Sequence, residues 1–345
     1  MIITRTPFRI TLGGGGTDLP SFYEEHGGFV FTMSINKYMY IMLHRLPVTE
    51  RKSIIRYSAV EYVSSYEEIA HPLAREVLKL HNVREYIELT SIADMPAKTG
   101  LGSSGAYLVG ILAAVRAYQK KSFLPEEIAK EACYIEMDVL KEPVGKQDQY
   151  IAAFGGFRTL DISKAGDVKV DAVAIDFTSV VELVQKARIY YTGFQRSATE
   201  ILKEQNEASI KKNHVHHAHV IDSLCHIKEL GYRTKNAFEK GDLDAFGILM
   251  DEHWQFKKTM SKNISLSVLD ELYDRVKKDY GVLGGKIIGA GGGGFIMLYC
   301  PKMGRELDSF MRSQDMPRVN YFPSMKGVTV VSDMSALDDF DAQID

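Results

Sequence analysis

Hydrophobic and polar positions in the first 60 residues alternate in short runs rich in Val, Ile, Tyr and Phe, broken by turn residues, which predicts several strands. A glycine loop interrupts them at residues 13–16. The period then changes. Residues 71–82, 104–119 and 125–139 carry apolar residues at helical spacing, while YIELTSIADM (86–95) alternates like a strand. The segment AYLVGILAAVRAYQK (106–120) has the apolar density of a buried helix. A strand pair at about 155–176 closes the first half. From residue 187, ARIYYTG opens a second unit, with helical patterns over roughly 196–230, 242–262 and 265–280 and strands at 284–300 and 327–332. No internal repeat or low-complexity tract interrupts this order. Two α+β domains sharing a cleft are expected, with bounds 1–180 and 181–345.

The most informative stretch is PAKTGLGSSG (96–105), where a strand-like segment gives way to a helix. Gly100, Gly102 and Gly105 let the backbone approach an anion, and the first N–H groups of the following helix attract negative charge. Ser103 and Ser104 place hydroxyls at the helix mouth, suited to a phosphate oxygen or a magnesium ion. The same residues satisfy the loose pattern G-x-G-x-x-G of dinucleotide sites. Such a site needs an acidic residue about 20 positions on, at the end of the next strand. Glu126 and Glu127 fall near that spacing, but they follow Pro125 and open a helix. The dehydrogenase reading therefore lacks its ribose ligand. A standard P-loop is also missing, because neither Gly145-Lys146 nor Gly285-Lys286 is followed by Ser or Thr.

Two further glycine clusters frame this one. RTPFRITLGGGGTDLP (5–20) runs from a strand into four glycines and Thr17-Asp18, and GGKIIGAGGGGFIMLYC (284–300) reads as strand, glycine loop and strand. In that order the three motifs resemble the GHMP small-molecule kinases, and the likeness spans residues 5 to 294. Within that family, GGGGTDLP, EEHGGFVFTMSINKYMYI and YTGFQRSATEIL (191–202) are most similar to the kinases of D-glycero-D-manno-heptose 7-phosphate. The resemblance implies a left-handed β-α-β crossover in the first domain, a ferredoxin-like second domain and phosphoryl transfer from ATP to an anomeric hydroxyl.

It also implies site residues. Asp148, in EPVGKQDQY between a helix and the next strand, matches the family's aspartate beside a glycine turn and would accept the hydroxyl proton. Arg9 matches the basic residue of the first motif and would hold that aspartate ionised or stabilise the transferring group. ATP would lie on Pro96, Lys98, Gly100, Leu101, Gly102, Ser103, Ser104 and Gly105. Ser104 and Glu136, the latter 12 positions before Asp148, match the family's magnesium ligands. Thr17, Asp18, Gly15, Gly16, Gly291 and Gly292 would face the sugar. Galactokinases carry Glu-His where this chain has Gly15-Gly16, which argues against galactose, and a fucose- or galactose-type sugar 1-kinase stands as the alternative reading. Arg196, ahead of a long helix, is a candidate for the sugar's own phosphate.

Composition fits a metabolic enzyme. The 345 residues are 45% hydrophobic and 25% charged, with a net charge of −3, which gives no support to nucleic-acid or membrane partners. The start MIITRTPFRI has no charged leader with an apolar core, and no apolar run reaches membrane-span length, so a cytoplasmic monomer or homodimer is expected. Cys133, Cys225 and Cys300 are far apart and odd in number, against a disulfide framework. The histidines of NHVHHAH (213–219) lack the spacing of a catalytic zinc site and read as a polar helix face, and Trp254 reads as a packing residue.

Overall fold

A computed structural model describes residues 1–46, 51–194, 217–260, 264–289 and 291–334. The first half runs β1 (Ile2–Gly13), α1 (Pro20–His26), β2 (Gly28–Arg45), β3 (Ser53–Arg56), β4 (Val60–Val63), α2 (Pro72–Leu80), β5 (Ile87–Ala93), α3 (Ser103–Tyr118) and α4 (Pro125–Cys133). It continues through a π-helical turn (Tyr134–Val139), α5 (Gln147–Phe154), β6 (Phe157–Ile162), β7 (Val168–Ala172) and α6 (Phe177–Lys186). The rest is β8 (Ala187–Tyr191), α7 (His217–Glu239), α8 (Leu243–Met260), α9 (Ser267–Tyr280), β9 (Gly284–Ile287), β10 (Phe295–Tyr299), α10 (Gly304–Ser313), β11 (Arg318–Val319) and β12 (Thr329–Asp333).

β2 organises the larger sheet. Its first part, Gly28 to Met33, pairs with β6, its last part, Met39 to Arg45, pairs with β5, and β1 runs antiparallel along both. The order is β12-β1-β2-β5-β3-β4, with the β6-β7 hairpin attached to β2. β3 and β5 are parallel neighbours, and the connection between them carries α2. The β1 ladder shifts register between Pro7 and Phe8, where proline has no N–H to donate, and Arg9 follows directly. From Thr6 onward every β1 residue is buried, because α3 and α7 both pack against this sheet. α3 is apolar all round and buried from Gly105 to Val115, as the sequence predicts. It sits close on β1 because a Cβ on Gly110 would lie 2.9 Å from Thr6 Oγ1, while Thr4 Oγ1 donates to Gly110 O at 2.9 Å.

The smaller sheet has the order β11-β8-β10-β9 with every pair antiparallel. Strand, helices, two strands, helix and strand follow one another as in a ferredoxin-like unit, which agrees with the expected fold class. β12 returns to the larger sheet beside β1. One apolar core unites the sheets, joining Phe8, Phe31 and Leu112 to Phe238, Phe246 and Tyr299. Trp254 is 2% exposed in a second cluster under the smaller sheet, a packing residue as expected. Among the described residues no helix is long and apolar enough to cross a membrane.

Two differences from the sequence pattern matter for the site. Four short helices of seven to ten residues, α1, α5, α6 and α10, are absent from the sequence reading. The helix expected over 125–139 is α-helical only to Cys133 and then widens into the π turn.

Candidate active site

The three glycine loops meet in one cleft between the sheets. The second and third pack backbone on backbone: a Cβ on Gly289 would lie 2.5 Å from Gly100 Cα, and one on Gly294 would lie 2.4 Å from Thr99 O. Side chains there would separate the loops. The second loop ends in Gly102, left-handed at φ +76°, from which α3 departs without a side-chain cap, so its first N–H groups stay available to an anion.

Arg9 and Asp148 join the first motif to α5. Arg9 Nε donates to Asp148 Oδ1 at 2.7 Å, its Nη2 donates to Oδ2 at 3.0 Å, and its Nη1 donates to the Gly100 carbonyl. This is a bidentate pair with a third bond into the ATP loop. The Arg9 side chain is 7% exposed, whereas Asp148 keeps 23% and lines the cleft. Asp148 lies between the π turn and β6, as read from the sequence, in the first turn of the short helix α5. Gly105 makes room for it, since a Cβ there would fall 2.8 Å from Asp148 Cβ.

Glu136 faces the same cleft from the π turn, 3% exposed, and accepts from Gln149 Nε2 at 2.6 Å and from the Ser104 hydroxyl. Burial pushes its carboxyl up to about 7, against the pull of Gln149 and Ser104. Gln149 Oε1 is a buried acceptor without a hydrogen-bond partner. A buried carboxylate, a hydroxyl and an orphaned amide oxygen form an oxygen donor set that fits a hydrated magnesium ion, which takes few protein ligands. No group of three or more His, Cys, Asp or Glu among the described residues could hold a metal. His217 and His219 in the first turn of α7 are no exception, and His214 and His216 lie outside the described residues.

On the opposite side, Asp18 is 2% exposed and accepts from Gly16 N at 3.2 Å and Gln147 N at 3.1 Å. Burial raises its pKa above the usual carboxylate value, opposed by the Gln147 bond. Gly145 has to be glycine here, because a Cβ would sit 2.0 Å from Asp18 Oδ2. Gly15 and Gly16 line the cleft beside it.

Not every expected residue reaches the cleft. The Thr17 hydroxyl shares its one proton between the Gly14 and Phe29 carbonyls, both at 2.8 Å, and accepts from Phe29 N at 3.1 Å. It clamps the loop and has no donor left for a sugar. Gly291 and Gly292 lie against Ile264, whose carbonyl accepts from Gly292 N at 2.8 Å. Leu101 is buried in the core, and its carbonyl accepts from Arg9 N. Pro96 and Lys98 are exposed at the loop's outer edge, Ser103 is half-buried, and Arg196 lies outside the described residues.

Three basic groups that the glycine motifs do not single out also line the cleft. Lys257 on α8 donates to the Gly289 carbonyl, and Lys286 on β9 donates to Leu12 O at 3.1 Å. His253, one turn before Lys257, is 3% exposed. Burial, followed by Arg9, pulls the Lys257 ammonium down to about 8. Burial, with Lys257 and Arg9 adding repulsion, sets Lys286 well below the usual lysine value. His253 also lies well below its ordinary value, mainly through burial. The available signals were the i, i+4 spacing of His253 and Lys257 and the charge of Lys286 inside an otherwise apolar motif.

A helix mouth with free N–H groups, a carboxylate gripped by a guanidinium and a cluster of oxygen donors in one cleft are what phosphoryl transfer requires. Known proteins agree. Residues 66–156 match the GHMP kinases N terminal domain and residues 234–307 match the GHMP kinases C terminal domain. The chain belongs to the GHMP kinases and is an ATP-dependent enzyme that transfers phosphate to a hydroxyl. It is 27% identical to D-glycero-alpha-D-manno-heptose 7-phosphate kinase of Campylobacter jejuni, over 86% of this chain and 89% of that protein. A crystal structure described as a D-glycero-D-manno-heptose 1-phosphate kinase from Bacteroides thetaiotaomicron superposes with a TM-score of 0.76 at 23% identity, covering 96% of this chain and all of the other. A putative sugar kinase from Campylobacter jejuni gives 0.74 at 25% identity, over 95% and 97% of the two chains.

Proposed function

We propose that this chain phosphorylates the anomeric hydroxyl of D-glycero-D-manno-heptose 7-phosphate with ATP, giving the 1,7-bisphosphate used to make nucleotide-activated heptose for surface polysaccharide. The observation that carries the reading is the nearly full-length likeness to a heptose 7-phosphate kinase, together with a cleft whose acceptor side is open at Gly15 and Gly16. The latter feature disfavours a galactose-type 1-kinase.

In this reading the triphosphate lies along the second loop and the mouth of α3, held by backbone N–H groups and the Ser103 hydroxyl. Ser104 and Glu136 hold magnesium, which when bound neutralises phosphate charge. Asp148 orients the anomeric hydroxyl and takes its proton, and Arg9 fixes Asp148 while stabilising the charge that develops on the transferring group. Asp18, with the Gly15 and Gly16 backbone, hydrogen-bonds the sugar hydroxyls. Arg196 keeps the role of a second anion contact. Residues 1–180 and 181–345 form the two domains, with β12 crossing back, and the enzyme works in the cytoplasm as a monomer or homodimer. The test is ADP release with MgATP across a panel of sugars and sugar phosphates. Heptose 7-phosphate is expected to have the highest kcat/KM, and preference for a free hexose or for fucose would overturn the assignment.

A further inference from the structure

Lys257 and Lys286 bring two ammonium groups into the cleft for which the roles above have no use. They are 8% and 4% exposed. Among the described residues each donates one hydrogen bond, to a backbone carbonyl, and neither forms an ion pair with a carboxylate. An ammonium has three donors, so capacity remains on both. Tying a loop to a carbonyl needs only a neutral donor. Burying a full positive charge without a partner is costly, and burying two that repel each other costs more. Asp18, Glu136 and Asp148 line the same cleft, but Asp148 is paired with Arg9, and burial raises the pKa values of Asp18 and Glu136, so an added dianion fits the two lysines.

Position selects which anion. The ATP loop and the mouth of α3 belong to the first domain. Lys286 instead reaches across to Leu12, directly before the Gly13–Gly16 loop, and the charge of Asp18 acts on Lys257. Lys286 therefore stands on the acceptor side, and Lys257, bonded to Gly289 where the third loop packs on Gly100, stands between the acceptor side and the ATP loop. The neutral His253 ring beside them offers a further hydrogen bond without adding charge. A phosphate monoester is a dianion with three acceptor oxygens, which matches two ammonium groups and an imidazole.

We propose that Lys257 and Lys286 form the subsite for the phosphate monoester carried by the acceptor, and so select a sugar phosphate over the free sugar. This rests on the reading of the acceptor as a phosphorylated sugar. Lys257→Gln and Lys286→Gln keep a donor for each carbonyl and remove only the charge. Their kinetics are to be measured with heptose 7-phosphate and with the dephosphorylated heptose, and folding and nucleotide binding are checked by circular dichroism and a fluorescent ATP analogue. The KM for heptose 7-phosphate is expected to rise roughly tenfold to a hundredfold per lysine, the loss of one charge-assisted contact. The KM for ATP and the kcat/KM for free heptose should stay within about threefold, and Lys286→Arg should recover part of the selectivity. Equal losses on both acceptors, or a parallel rise in the KM for ATP, would overturn the subsite while leaving the acceptor assignment intact. A wild-type enzyme that favours free heptose would overturn the acceptor assignment and the subsite with it.

Discussion

Arg9 grips both carboxylate oxygens of Asp148, at 2.7 and 3.0 Å, across 139 residues of sequence. The same guanidinium bonds the Gly100 carbonyl, so the residue placed at the acceptor hydroxyl and the loop placed at the triphosphate are set by one side chain. In the proposed reading, the base and the triphosphate loop are thereby held in register before either substrate binds.

Asp148→Asn keeps the shape of the pair and removes its charge. We expect kcat to fall by about 10²- to 10⁴-fold while the Kd for ATP changes little, measured by steady-state kinetics and nucleotide titration. Unchanged turnover would remove Asp148 from the reaction. Arg9→Met should be worse for folding, since it strands Asp148 without its partner at a cost of about 3 kcal/mol or more.

Gly145→Ala tests the acceptor side. Its Cβ would stand 2.0 Å from Asp18 Oδ2, so the carboxylate has to move. A destabilisation of about 1–3 kcal/mol by thermal melting is expected. The KM for the sugar should rise with no matching rise for ATP.

Glu136 sets a pH dependence in the magnesium-free protein. Its pKa is raised from 4.5 to about 7 by burial, so the folded state holds a proton that the unfolded state has lost. Stability should fall as pH rises from about 4.5 to about 7, by on the order of 3 kcal/mol. Glu136→Gln should abolish that fall in denaturation curves taken with chelator, and should raise the magnesium concentration needed for half-maximal rate.

Lys257 sets a second one, at higher pH. With its ammonium at about 8, the free enzyme loses this charge between pH 7 and 9. The KM for heptose 7-phosphate should therefore rise over that interval. Lys257→Arg stays charged and should flatten the profile.

The sequence carried the glycine loops, the buried helix after them and the pairing of Arg9 with Asp148, because these depend on local spacing and on family motifs. What it could not carry depends on meetings in space. Thr17 looks like a sugar ligand until its hydroxyl is seen clamping Gly14 and Phe29. The family motif singles out Glu136 but reads it on a regular helix, whereas it lies in the π turn and lines the cleft. Lys257 and Lys286 lie 29 positions apart in elements of different period, and only the fold brings one to the third glycine loop and the other to the residue before the first.

The most direct test of the central claim is phosphorus NMR of the product formed from MgATP and heptose 7-phosphate. Two phosphate environments, one coupled to the anomeric proton, are the expected result. A single phosphate signal, or a new phosphate coupled to a proton other than the anomeric one, would contradict it.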